Sequence, residues 1–136
     1  MNWKLIFGLS LFGLAMAFAT VYWVSPKMEP IIWLAIFLIC AYLIGKNAPG
    51  KYFLHGFLVS IVNCVWITGV HIYLSAEYLA HHSQETEQYA KMNSELGLSV
   101  AKSMLLVGPM IGIVSGLILG LLAFAAARII DLIDSQ

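Results

Sequence analysis

Charge is what this sequence has least of. Lys and Arg together number seven, Asp and Glu seven, and charged residues make up 10% of the 136. A soluble domain averages about 25% charged and about 45–50% apolar residues, whereas 61% of this chain is hydrophobic. A soluble fold of this length has too little interior to hide that excess, so an integral membrane protein with a lipid bilayer as its main partner is expected. The net charge of zero removes the electrostatic footprint that nucleic acid requires, and no nucleic-acid partner is expected. Cysteine is scarce too. Cys40 and Cys64 stand in separate apolar runs and form no Cys-x-x-Cys pair. They read as packing thiols without a disulfide framework.

Catalytic signatures are missing as well. The chain contains no His-Glu-x-x-His, no Gly-x-Ser-x-Gly and no glycine-rich phosphate loop. No carboxylate pair lies inside an apolar run. A four-helix quinone oxidoreductase working through paired cysteines would need partners that Cys40 and Cys64 lack. Neither an enzymatic activity nor a cofactor is expected. Haem is disfavoured because His55 and His71 point in different directions from one helix.

What the chain has is apolar runs. The first, residues 5–24, could imitate a signal peptide, with Lys4 ahead of it and Ala15-Met-Ala17 as a small-residue site. It nevertheless continues through Tyr22 and Trp23 far enough to span a bilayer, and is expected to be an anchor. Ser10, Gly13, Ala17 and Thr20 share one face of it, with Gly13 and Ala17 as a small-residue helix contact. The turn at 25–30 holds two prolines and leads to a second span, 31–45, of about 22 Å, short but tolerable. A Lys46–Lys51 turn with a Pro-Gly core follows.

The third span, 52–74, is the most polar. At 100° per residue, with Ser60 as zero, Cys64 falls at about 40°, Thr68 at about 80°, His71 at about 20° and Asn63 at about 300°. These groups would be costly against lipid, so this side should face the bundle interior. Ser60, Asn63, Thr68 and His71 then either make interhelical hydrogen bonds or line a small polar cavity. His55, at about 220°, is expected on the opposite side, near the membrane surface.

Residues 75–103 are rich in Glu, Gln, Asn and Tyr and read as a water-exposed helix continuing from the third span, with a break at 93–99. Within it Glu77, His81 and Glu85 step by four along one face. Zinc needs three or four converging ligands, and one helix supplies a third only awkwardly, so a solvated face is preferred to a metal site. The fourth span, 104–127, carries Gly108, Gly112, Gly116 and Gly120 at four-residue steps. They form a groove that admits another helix backbone, either within the bundle, with the small face of the first span as partner, or between copies in a homodimer. Pro109 removes the helical donor to the Leu105 carbonyl, and a bend and hinge are expected there.

Four spans put both termini on one side, with Lys4, Lys46, Lys51 and Arg128, against Lys27, Lys91 and Lys102 on the other. The short Lys46–Lys51 loop decides for cytoplasmic termini and an external Glu-rich segment. The layout resembles an uncharacterised family of small bacterial four-span membrane proteins, a domain of unknown function. Four features carry the likeness: the tight first hairpin, the Lys-Asn turn before Tyr52-Phe53, the Glu/Gln/Tyr/Met-rich stretch from Glu77 to Met92, and Gly108-Pro109 opening the last span. The resemblance implies a bacterial inner-membrane location and no site residues.

The expectation is therefore an all-α fold: one membrane domain of four antiparallel transmembrane helices with a helical extramembrane extension after the third. Its expected role is assembly or interaction, through the glycine-laddered fourth helix and through a protein partner at the Glu-rich segment. The alternative is a minimal channel or transporter for a small solute along the polar face of the third helix. The absence of Asp, Glu, Lys or Arg within the four spans argues against ion coupling.

Overall fold

A computed structural model describes residues 1–136 as six helices and no strands. They are α1 (Trp3–Tyr22), α2 (Glu29–Asn47), α3 (Tyr52–Tyr73), α4 (Ser75–His81), α5 (Ser83–Leu96) and α6 (Val100–Asp134). Four of them, α1, α2, α3 and α6, are long and apolar enough to cross a membrane.

Local chemistry sets the ends. The Asn2 side chain accepts from the Leu5 N–H and caps α1, and Pro30 sits in the first turn of α2, where its missing N–H does no harm. The α2–α3 turn needs left-handed backbone at Gly50 (φ 99°) and again at Lys51 (φ 51°), the second an uncommon conformation for a residue with a Cβ. Gly97 (φ 65°) closes α5, and the Ser99 hydroxyl caps α6.

Several boundaries differ from expectation. The second span gains its missing length at both ends, reaching 19 residues or about 28 Å. The stretch after α3 is two helices rather than one, with breaks at Leu74 and His82. Neither break involves Gly or Pro; both bring aromatic rings back over the bundle, so packing decides them. The last helix runs on through Pro109 for 35 residues, about 52 Å, and takes in most of the expected tail.

Contacts fix the arrangement. Asn2 N–H donates to His55 Nε2 (2.9 Å) and Thr20 Oγ1 lies 2.9 Å from His71 Nε2. Hence α1 and α3 lie side by side in the same sense. Along α6 the ladder meets α3 in reverse order: Gly108 faces Thr68, Gly112 faces Cys64, Gly116 faces Phe57 and Gly120 faces Phe53. Its partner is thus α3, not the small face of α1, which is itself turned to α3. A Cβ on Gly56 would stand 2.6 Å from the Leu119 carbonyl oxygen, so backbones touch in both directions. Gly45 of α2 abuts Ala127 of α6. The main core, including Ile6, Leu9, Ile36, Cys40, Ile44, Val59, Leu119 and Ala123, fills the end of the bundle that holds both chain termini. The outward sides of the long helices carry large apolar side chains such as Leu11, Leu34, Leu106, Ile113 and Leu117.

Candidate functional site

At the other end, toward α4 and α5, the core gives way to a cavity of about 300 Å³ between α1, α2, α3 and α6. The four polar residues singled out on the third span all line it: Ser60, Asn63, Thr68 and His71. Around them stand Met16 and Thr20 of α1, Glu29, Trp33 and Phe37 of α2, Tyr78 and Tyr89 of α4 and α5, and Gly108, Gly112 and Ser115 of α6. Ile111, 62% exposed, is part of the lining, so the cavity is open on that flank.

Two of the four polar groups are left without partners. Asn63 is 3% exposed, and neither its amide nitrogen nor its oxygen is hydrogen-bonded; the Ser60 hydroxyl, 2% exposed, is equally orphaned. Gly13 makes room for this amide, because a Cβ there would overlap the Asn63 side chain. A buried amide without partners costs about 1–3 kcal/mol by protein mutational data. Interhelical hydrogen bonding therefore does not account for Asn63. Thr68 faces Gly108 and lies 3.7 Å from the Cys64 sulfur. His71 is satisfied. The Thr20 hydroxyl is within reach of the Met16 carbonyl (2.9 Å), and with its proton given there it accepts from His71 Nε2–H.

A column of rings closes the outer end. Tyr78 stacks on His71 (centroids 4.0 Å, 21°) and on His82 (4.1 Å, 21°). His82 is fully buried and donates from Nδ1 to the Tyr78 carbonyl (2.8 Å). Its Nε2 stands 3.9 Å from Glu29 Oε2, without a hydrogen-bond partner. The other Glu29 oxygen accepts from Trp33 Nε1 (3.3 Å). Burial, with the Glu85 carboxylate nearby, pushes the hydroxyl pKa values of Tyr78 and Tyr89 above the usual range. These phenols stay neutral donors.

The remaining residues scatter. Gly112, Gly116 and Gly120 are buried against α3, Gly108 is half-buried, and Ala17 is buried on α1. Pro109 lies exposed beside Gly108. Glu77 and His81 are exposed, with His81 Nδ1 donating to the Glu77 carbonyl (2.9 Å), while Glu85 sits on the next helix and turns inward. No three His, Cys, Asp or Glu side chains come together as a metal site. His55 overturns its expected outward direction: it is 1% exposed, donating to the Lys51 carbonyl and accepting from Asn2. It is buried because α3 packs against α1, α2 and α6 and so has more than one inward side. Sequence reasoning missed Glu29 and Trp33, which lie far from the polar stripe along the chain and reach it only through folding.

Comparison with protein-family models, curated proteins and solved structures finds no match, so the functional reading rests on these residues.

Proposed function

We propose that this protein binds a small solute inside a four-span membrane bundle, as a minimal carrier or channel. The observation that carries this reading is Asn63: a buried amide with a free donor and a free acceptor, facing a cavity large enough for a ligand. Pockets for small molecules start at about 300 Å³ and combine apolar walls with a few placed polar groups, which describes this lining. In this reading the four long helices cross the bilayer as an antiparallel bundle, and α4 and α5 form an extramembrane extension over one end.

The charge distribution supports one orientation. Lys4, Lys46, Lys51 and Arg128 all belong to the end where Asn2 meets His55 and Gly45 meets Ala127. Under the positive-inside rule that end is cytoplasmic, with α4 and α5 on the outer face of a bacterial inner membrane. The glycine ladder supports packing within one chain over self-association, since α3 already occupies its groove.

The test uses 4-fluorobenzyl alcohol, whose hydroxyl can both give to and take from an amide. Its binding to the full-length protein in dodecyl maltoside is followed by ¹⁹F NMR. Saturable binding to the wild type, with only unsaturable micelle partition for Asn63→Leu, is the expected result. Equal behaviour of the two proteins would remove the proposal.

A further inference from the structure

The cavity lining contains one formally charged residue, Glu29, and no Lys or Arg. We infer that its ligand is an organic cation, an ammonium carried on an apolar body, with the Glu29 carboxylate as counter-charge. This rests on the binding reading above and names the chemical class of the solute.

Three observations converge on a positive charge. The first is the carboxylate, which lines the cavity at the first turn of α2, where a helix N-terminus favours an anion and the membrane surface is near. The second is aromatic. Trp33, Phe37 and Tyr89 line the same space, and ring faces attract ammonium groups within about 6 Å of their centroids, whereas both faces of Tyr78 are taken by imidazoles. The third is a set of buried polar atoms left without partners at this end. His82 is fully buried, its Nδ1–H is committed to Tyr78, and its Nε2 has no hydrogen-bond partner. The Glu29 oxygen nearest to it has no donor within hydrogen-bond distance, and Glu85 Oε2 is buried without one too. No Lys or Arg pairs with Glu29 or Glu85. Lys27, Lys91 and Lys102, the basic residues of this half of the chain, are exposed and outnumbered by five Glu.

The rest of the lining fits the body of such a molecule. Met16, Ile67, Met104, Val107 and Ile111 give apolar walls, and the opening beside Ile111 suits entry of an amphiphile from the lipid side. Asn63 sits deeper, where it can hold one polar substituent. The same ammonium chemistry occurs in free amines and in lipid headgroups, and the experiment separates the two sources.

The probes are 4-fluorobenzyl-trimethylammonium and its uncharged isostere 1-fluoro-4-neopentylbenzene, in which carbon replaces the nitrogen. Both are titrated into the full-length protein in dodecyl maltoside, an uncharged and amine-free detergent. The cation is expected to bind at least tenfold more tightly than the isostere. Glu29→Gln, whose amide oxygen still accepts from Trp33, is expected to erase that preference, while Glu29→Asp keeps it. A wild-type far-ultraviolet dichroism spectrum and unfolding profile verify that Glu29→Gln is folded; if it is not, the cation-over-isostere ratio of the wild type and of Glu29→Asp decides alone. Equal affinities of cation and isostere, or a preference that survives Glu29→Gln, would overturn the cation assignment and leave the cavity reading standing on the alcohol. Failure of all three probes to bind saturably overturns both. Displacement of the cation by phosphatidylethanolamine assigns the natural occupant to a headgroup, and lack of displacement assigns it to a free amine.

Discussion

The two ends of this bundle are built by opposite rules. At the end holding the termini, backbones touch backbones. Gly56 lies against Leu119, Gly120 against Phe53, Gly45 against Ala127, and the space between is filled by Ile6, Ile44, Val59 and Leu119 with almost no exposure. At the other end the same helices enclose a cavity, Asn63 and Ser60 lack partners, and aromatic rings from α4 and α5 stand over the opening. Small residues occur at both ends, but they serve different purposes. Gly56 and Gly120 admit a neighbouring main chain; Gly13 admits the Asn63 side chain, and Gly108 admits Thr68. The comparison teaches that one half of the molecule is committed to cohesion, leaving the other half free to carry unsatisfied polar groups.

The harshest way to break this contrast is to add a methyl at the packed end. A Cβ at Gly56 would lie 2.6 Å from the Leu119 carbonyl oxygen and 2.9 Å from Gly120 Cα. Main chain cannot yield as a side chain can, so Gly56→Ala forces α3 and α6 apart. Overpacking of this kind costs about 1–3 kcal/mol, occasionally more. Gly69→Ala is the control, because nothing lies within 4 Å of its Cβ; it should be neutral or better, as alanine favours helix by about 1 kcal/mol. Unfolding in dodecyl sulfate followed by circular dichroism reads both. Similar stability for the two variants would mean that the packed end is not what holds the fold.

The next effect has the opposite sign. Asn63→Leu replaces an unpartnered buried amide by an apolar side chain of similar branching, and should stabilise the apo protein by about 1–3 kcal/mol while abolishing solute binding. Stability and function then separate at one position. If the substitution destabilises, the amide has a partner within the fold, and the cavity end obeys the same rule as the packed one.

Much of this contrast was legible along the chain, and the limits are physical. Apolar runs long enough to cross a bilayer declare themselves through composition, so the number of long helices followed directly. The polar stripe was equally readable, because helical periodicity fixes that Ser60, Asn63, Thr68 and His71 share a side, and the cavity collects all four. The partner of the glycine ladder was not. Small residues permit close approach without saying to what, and both α1 and α3 present surfaces that would serve. His55 was misplaced because a helix touching three neighbours has no single inward face. Glu29 looked like part of a turn, and only the packing of α2 against the bundle brings it and Trp33 to the cavity. The breaks at Leu74 and His82 leave no Gly or Pro mark; they follow from the stacking of Tyr78 between two imidazoles.

That stack gives a pH test of the cavity end alone. The hydroxyl pKa values of Tyr78 and Tyr89 are raised by burial, so the folded state holds those protons longer than the unfolded chain does. Their contribution is complete below the ordinary tyrosine value of about 10 and is lost as pH climbs from there through the raised folded values. Near-ultraviolet dichroism should show the outer end loosening from about pH 10 while far-ultraviolet dichroism of the long helices persists. Tyr78→Phe with Tyr89→Phe keeps the rings, removes the ionisation and should flatten that alkaline transition. An unaltered transition in the double variant would break the assignment.

The smallest effect lies outside both ends, at Lys91 and Glu95 on α5. Their charged atoms are 3.9 Å apart, one turn along the helix, with both side chains mostly exposed. Exposed pairs at this spacing contribute about 0.3–0.5 kcal/mol and are screened by salt. Lys91→Ala should therefore barely change hydrogen exchange of the α5 amides, and the change should vanish at high ionic strength. Tyr89 is 8% exposed and packs with Val21, Tyr78 and Met104, so Tyr89→Ala should accelerate the same exchange far more. If the two variants were alike, α5 would be an independent solvated helix. If only Tyr89→Ala acts, α5 is held by its grip on the ring column, and the roof of the cavity belongs to the bundle although its outer surface is built for water.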